Sequence, residues 1–222
     1  MLITILNALA VLALSFLIGS IPSGLIVVKI ANGKDVRTIA SGRTGGTNAM
    51  RAAGFLAGLV TAILDVSKGI ATLWLVQWIY PGSAWMQVFA AILAIIGHNY
   101  SIFLAWRDEK GRLRFGGGAG GATAVGGAIA LYPHIVLFIL PLCVLVFLFI
   151  GYASVTTMSI PIIATIVFIY RAISGEASWI YVVYGILAEL VVIWALRPNI
   201  QRLRMGTERI VGLRAYLKSK IK

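Results

Sequence analysis

The residues best suited to chemistry lie in Ser41–Arg51, SGRTGGTNAMR. Its glycines let successive backbone N–H groups point inward as an anion-binding nest. Ser41, Thr47 and Asn48 add donors, and Arg51 presents a fork that matches a phosphate or carboxylate. A helix starting near Asn48 would aim the positive end of its dipole at the same point. Gly42 and Gly45 are the turn positions of the nest. The plainer reading is a cytoplasmic loop with a capping Thr or Asn and snorkelling arginines; composition alone divides the two evenly.

Four further stretches carry polar groups. In LDVSKG, Asp65 and Lys68 are three apart, so they share a helical face and can pair. Set in an apolar run, the pair must face the interior of a bundle, as a structural tie or as support for a site. In GHNYSIF, His98 is either a hydrogen-bonding or acid–base group or a satisfied interhelical histidine. The run FGGGAGGAT, Phe115–Thr123, is a second candidate nest through Gly117, Gly118 and Gly120, with Thr123 capping or lining it. In RPNIQRLRMGTE, Asn199 and Glu208 are the polar residues able to turn back into a site. Glu189 is a lone acid in an apolar run and a functional suspect. There is no HExxH, no HxxxxD (Phe103 stands five residues after His98) and no metal-ligand cluster, so chemistry alone signals an anion site at a membrane interface.

The elements that hold these residues are read from hydropathy. Of 222 residues, 60% are hydrophobic and 12% charged, and the mean hydropathy is +0.96. Soluble domains carry about 25% charged residues, so the chain reads as an integral membrane protein. Apolar segments fall at 2–30, 52–80, 85–106, 118–132, 134–151, 154–171 and 178–196. They predict an all-α polytopic protein of about seven transmembrane helices, forming one domain over 1–222. Gly19, Pro22 and Gly24 place a kink or an early end in the first. RDEKGRLR, 107–114, predicts a solvated turn or short hairpin bending at Gly111. Cys143 is alone and reads as a small apolar residue.

The net charge of +12 is not a nucleic-acid footprint. The basic residues cluster in Lys29–Arg51, Arg107–Arg114 and Arg197–Lys222, each beside an apolar run, as cytoplasmic loops require. That puts the N-terminus outside and the basic tail, 197–222, in the cytoplasm, where its apolar spacing suits an interfacial segment against anionic lipid. Ser41–Arg51, His98–Thr123 and Arg197–Glu208 then converge on the cytoplasmic face. Trp85, Trp106, Trp179, Tyr181 and Trp194 fall near segment ends, as an interfacial belt does.

Taken together the motifs resemble the bacterial acyl-phosphate:glycerol-3-phosphate 1-acyltransferases, seven-helix membrane enzymes, over nearly the whole length. GSIPSG resembles the family's first-helix signature. SGRTGGTNAMR is similar to SGNxGATNxxR, DVSKG to DxxKG and GHNYSIF to GHxxxxF. FGGGAGGAT is similar to FKGGKGVAT and RPNIQRLRMGTE to HRxNIxRLxxGxE. The resemblance implies acyl transfer from acyl phosphate to the 1-hydroxyl of glycerol 3-phosphate, giving lysophosphatidic acid and phosphate in phospholipid biosynthesis. The reaction it implies needs no metal or organic cofactor; the chain is expected to be a monomer in the cytoplasmic membrane, with its active face cytoplasmic.

Carried onto this chain, the family pattern makes Ser41, Arg51, His98 and Asn199 catalytic. Ser41, Thr47, Asn48 and Arg51 become phosphate contacts, and Asp65, Lys68 and Glu208 supporting residues. Gly116 and Ala119 replace the family's lysines, Leu196 replaces its histidine, and 107–114 is an insertion. Lys110, Arg112 and Arg114 on that insertion are the cations available to fold back. The other readings are a different acyl donor, a non-catalytic homologue binding a phosphorylated lipid or metabolite, and a small anion transporter.

Overall fold

The computed structural model describes residues 2–220 and all their side chains but that of Ser219. Met1, Ile221 and Lys222, within the expected domain and tail, lie outside the described residues. The chain is mostly helical, with one two-stranded hairpin.

Helices α1 (Leu2–Ser20) and α2 (Ser23–Asn32) make one interrupted apolar span. Pro22, which lacks an N–H, marks the predicted break. After α3 (Gly46–Ala53), Gly54 at φ +87° starts α4 (Phe55–Ile79). The predicted segment 52–80 is therefore cut, because a left-handed glycine cannot continue a helix. The other helices are α5 (Ala84–Asn99), α6 (Gly121–Leu131), α7 (Val136–Leu145), α8 (Ala153–Ile173), α9 (Ile180–Ala195), α10 (Arg197–Arg204) and α11 (Gly212–Lys220). A π-helical turn, Val146–Ile150, extends α7.

Among the described residues, four spans are long and apolar enough to cross a membrane: Leu2–Asn32, Phe55–Ile79, Pro133–Ile150 and Ala153–Ile173. A fifth forms if α9 and α10, bent by 67°, are taken together. The remaining two apolar helices, α5 and α6, have 16 and 11 residues. They are short because one end of each predicted segment does other work. Segment 85–106 stops being helical at Asn99, and β1 (Ser101–Arg107) pairs antiparallel with β2 (Leu113–Gly116). The expected hairpin is thus present, with Gly111 at φ +72° in its bend. Asp108 closes it by accepting from the backbone N–H groups of Lys110 and Arg112. Segment 118–132 becomes helical only after Gly120, at φ +89°.

α5 lies at the centre, against α1, α4, α6 and α9. Its Val88, Ala91 and Ile95 join Ala124 and Ala128 of α6, Phe168 of α8 and Tyr184 of α9 in the largest apolar core. Lipid supplies little hydrophobic drive between helices, so close backbone packing must hold them. At Gly97 an added Cβ would strike the Phe16 carbonyl of α1, and at Gly126 of α6 the Val66 carbonyl of α4. The outer surface is apolar: Leu9, Ile63, Trp74, Leu137 and Ile166 are all exposed. This is a multi-pass membrane protein.

Gly126→Leu forces α6 away from α4 and is expected to cost ~1–3 kcal/mol, the usual range for overpacking. Thermal unfolding in detergent, followed by tryptophan fluorescence, should start several degrees lower; an unchanged midpoint would show the contact is not needed.

Candidate active site

The loop between α2 and α3 is shaped by one side chain. Ala40 at φ +44° and Gly42 at φ +70° reverse the chain. Asn48, on the first turn of α3, reaches back into that reversal. Its amide nitrogen lies 3.0 Å from the Val36 carbonyl, 2.9 Å from that of Ile39 and 2.9 Å from that of Arg43. Its oxygen accepts from the Ser41 N–H at 3.4 Å. Two amide hydrogens shared among three carbonyls leave no donor for a ligand. Asn48 is expected as a phosphate contact; instead it organises the loop.

The loop is stitched to the glycine run. Thr44 N–H donates to the Gly117 carbonyl at 3.2 Å, and Arg43 Nη1 to the Gly118 carbonyl at 2.8 Å. The run lies on the last turn of α5, where Gly118 N–H donates to the His98 carbonyl at 2.9 Å. A Cβ at residue 118 would collide with the His98 ring, and one at 117 with the backbone of His98 and Asn99. Gly117 and Gly118 are therefore glycines for close packing, and the Gly118 amide is already used. Thr123 is buried, and its carbonyl lies against Gly69 of α4. None of these three lines the cavity described below, and neither does Gly42.

Beneath the run sits a buried ionic cluster. Lys68 Nζ is 2.9 Å from Asp65 Oδ1, 2.8 Å from His98 Nδ1 and 3.1 Å from the Ile21 carbonyl. An ammonium has three donors and no acceptor. His98 Nδ1 also lies 3.5 Å from Asp65 Oδ1. Asp65 and Lys68 together fix the ring's orientation from its Nδ1 side.

α10 brings the third motif. Glu208 is buried, taking Arg202 Nε at 2.8 Å on one oxygen and Asn199 Nδ2 at 2.8 Å on the other. Asn199 Oδ1 in turn accepts from Arg43 Nη2 at 3.3 Å. The same nitrogen donates to the Ala195 carbonyl at the end of α9. The front of the tail thus belongs to the site, and only α11 continues along the surface, against the π-helical turn.

These groups surround one cavity of about 460 Å³. Ser41, Arg43, Thr47, Arg51, Asn199 and Arg202 give it a polar end, with Gly45 and the first turn of α3 opening on it. Asp65, His98, Gly120 and Glu208 also line it, and Lys68 stands behind Asp65. Phe55, Leu59, Leu140, Phe147 and Ile160 form an apolar wall, with Phe55 and Leu59 exposed on the lipid side. Arg51 is exposed and makes no hydrogen bond or ion pair among the described residues. A second hollow, lined by Tyr152, Arg214 and Lys218, shares only Glu208 and Arg209 with the first.

The residue that sequence reasoning missed is Arg43. Surrounding protein lowers its guanidinium pKa by desolvation, yet an arginine stays charged. Arg202, Arg209 and Ser154 at the cavity wall were also unmarked. The insertion does not enter. Arg112 and Arg114 are exposed and spend their charge on Asp108, at 2.9 and 3.0 Å, and Lys110 does not line the cavity. Glu189 is likewise off its wall.

Known proteins resemble this chain over almost its full length. The profile of the family described as glycerol-3-phosphate acyltransferase matches residues 9–206. A glycerol-3-phosphate acyltransferase of Thermus thermophilus is 38% identical over 92% of this chain and 95% of its own. Glycerol-3-phosphate acyltransferase 2 of Moorella thermoacetica is 35% identical over 93% and 99%. The crystal structure of PlsY (YgiH), an integral membrane glycerol 3-phosphate acyltransferase, in its glycerol 3-phosphate form superposes with a TM-score of 0.79. It is 29% identical, over 95% of this chain and 98% of that one.

Two substitutions test the geometry. Asn48→Ala removes the loop's internal clamp, each lost bond worth ~0.5–1.5 kcal/mol; trypsin should then cut after Arg43 faster than in the parent, and an equal rate would contradict the clamp. Lys68→Met leaves a buried carboxylate unpaired and is expected to cost ~3–5 kcal/mol. Adding Asp65→Asn should recover much of that in a thermal melt, and no recovery would mean that Lys68 acts chiefly elsewhere.

Proposed function

The chain belongs to the glycerol-3-phosphate acyltransferase family, and on that footing we propose that it esterifies the 1-hydroxyl of glycerol 3-phosphate with acyl phosphate as donor. Acyl transfer to glycerol 3-phosphate in phospholipid synthesis is the family's activity. The observation that carries the finer reading is the cavity itself. One hollow joins a cationic, polar end to an apolar wall open to lipid. Such a site fits one small phosphorylated polyol beside one amphiphile with a phosphate head.

An acyl phosphate is a mixed anhydride with phosphate as an adequate leaving group. The protein has to hold two anions together and stabilise the oxyanion that develops on the acyl carbonyl. Arg51, unpaired in the protein, takes a substrate phosphate. Ser41 and Thr47 and the first turn of α3 supply donors around it. His98 and Asn199 orient polar groups, and Glu208 fixes Asn199. The glycerol oxygen bonds to the acyl carbon as the carbon–oxygen bond to phosphate breaks. The hydroxyl proton passes to a phosphate oxygen of the substrate. The products are lysophosphatidic acid and inorganic phosphate.

The membrane arrangement proposed with it has seven apolar segments, the N-terminus outside and the basic tail in the cytoplasm. The lysines and arginines beside α2, in the hairpin and after α9 support this by the positive-inside rule. The active face is then cytoplasmic, in the cytoplasmic membrane. The chain acts as a monomer over a single domain, without nucleic acid, metal or organic cofactor. The replacements at Gly116 and Ala119 are what feed the non-catalytic reading; relatives named as acyltransferases do not favour it or the anion transporter.

Purified protein in lipid should release phosphate from acyl phosphate only when glycerol 3-phosphate is present, with lysophosphatidic acid formed. Arg51→Ala should lose ~10²-fold or more of that rate, as removal of one stabilising donor does. His98→Gln should retain substantial turnover; complete loss with binding intact would restore the histidine as a base.

A further inference from the structure

Arg43 stands out because its charge has no counter-ion. None of the ion pairs among the described residues includes it. Its nearest acid, Glu208, is reached only through Asn199 and is already paired with Arg202. The guanidinium donates instead to neutral acceptors: the carbonyls of Gly118 and Ala195 and the Asn199 side chain. Five N–H donors less these three leave two without an acceptor among the described residues, on a side chain that lines the cavity. A half-buried cation held by carbonyls is positioned but not neutralised. An anion in the cavity completes it.

Its two carbonyl partners are informative. Gly118 immediately precedes Ala119, and Ala195 immediately precedes Leu196. Residues 119 and 196 are where the family motifs FKGGKGVAT and HRxNIxRLxxGxE carry lysine and histidine. Both are apolar in this chain, and both line the cavity. The family pattern SGNxGATNxxR has asparagine where this chain has Arg43. One guanidinium therefore bridges the two places from which basic side chains are absent.

We propose that Arg43 is a phosphate-binding residue of this site, supplying from the Ser41–Arg51 loop a positive charge where the family pattern has basic residues at 119 and 196. Its ligand is a terminal phosphoryl dianion, the group common to glycerol 3-phosphate, a monoester, and acyl phosphate, an anhydride. The inference rests on the acyl-transfer reading for its substrates, but not on turnover for its test. A guanidinium also binds differently from the lysine it replaces: it is a planar fork held in register by three acceptors, where an ammonium is a mobile point charge.

The experiment is equilibrium binding of glycerol 3-phosphate, and separately of a non-reactive long-chain acyl phosphonate, to folded protein in lipid. The variants are Arg43→Asn, Arg43→Lys and Arg43→Asn with Ala119→Lys. Arg43→Asn should weaken at least one ligand by about tenfold or more, and the arm that moves names the phosphate held. Ala119→Lys should regain most of the loss, which a merely structural role would not allow. Should Arg43→Asn fail to fold, Arg43→Lys decides: severalfold weaker binding is expected, and unchanged binding overturns the proposal. Affinity within twofold of the parent in both arms for Arg43→Asn, or a loss that Ala119→Lys leaves in place, also overturns it. Arg43-dependent binding without acyl transfer in the parent protein would instead sink the acyl phosphate reading and leave this one standing.

Discussion

The site depends on how closely residues 117 and 118 lie against the last turn of α5. No side chain fits between the backbone of residue 118 and the His98 ring. With glycine there, the run lies flat enough for its N–H to meet the His98 carbonyl and for its own carbonyls to face the loop. The loop then attaches through Thr44 and Arg43, and Arg43 ties in α9 and α10. Three segments far apart in sequence are thus joined by main-chain carbonyls, whose positions follow from helix packing. Helices pressed together at Gly97 and Gly126 are what keep those carbonyls in place.

The charges follow a consistent division. Away from the cavity each paired cation has an acid, Asp65 for Lys68 and Asp108 for Arg112 and Arg114, and at the cavity wall Arg202 is paired with Glu208. Where a cation faces the cavity at Arg43 and Arg51, the acid is withheld. On the proposed reading the net positive charge is partly a binding feature and not only a signal for membrane orientation. Neutral acceptors hold Arg43 in position without cancelling the field that a phosphate would meet.

Much of this was legible in the sequence. Hydropathy marked every apolar helix, because lipid imposes a length and polarity that few soluble segments share. The spacing of Asp65 and Lys68 foretold their ion pair, and RDEKGRLR its hairpin. The Ser41–Arg51 loop was recognisable by its residue types. The roles within it were not. Asn48 looks like a ligand donor until its hydrogens are counted against three loop carbonyls. Gly117 and Gly118 look like a nest, but glycine serves close packing and anion binding equally, and only the position of the His98 ring separates the two. Arg43 looked like one more basic residue in a basic loop. Its role depends on where α9 ends, some 150 residues later, and no local pattern encodes that distance. The hairpin insertion misled in the opposite sense, because Asp108 satisfies its arginines locally.

The break between α1 and α2 carries a consequence for the order in which the protein is made. Pro22 opens the first span, and the Ile21 carbonyl accepts from the Ser23 N–H at 3.0 Å and from Lys68 Nζ at 3.1 Å. The ribosome produces Ile21 well before Lys68. The first span therefore leaves the translation machinery with this carbonyl held by the local bond alone. When α4 follows, its ammonium meets an acceptor already in place, beside the Asp65 carboxylate three residues away on its own helix. A charged side chain is costly in hydrocarbon, and the opened turn is a receptor for it prepared one span in advance.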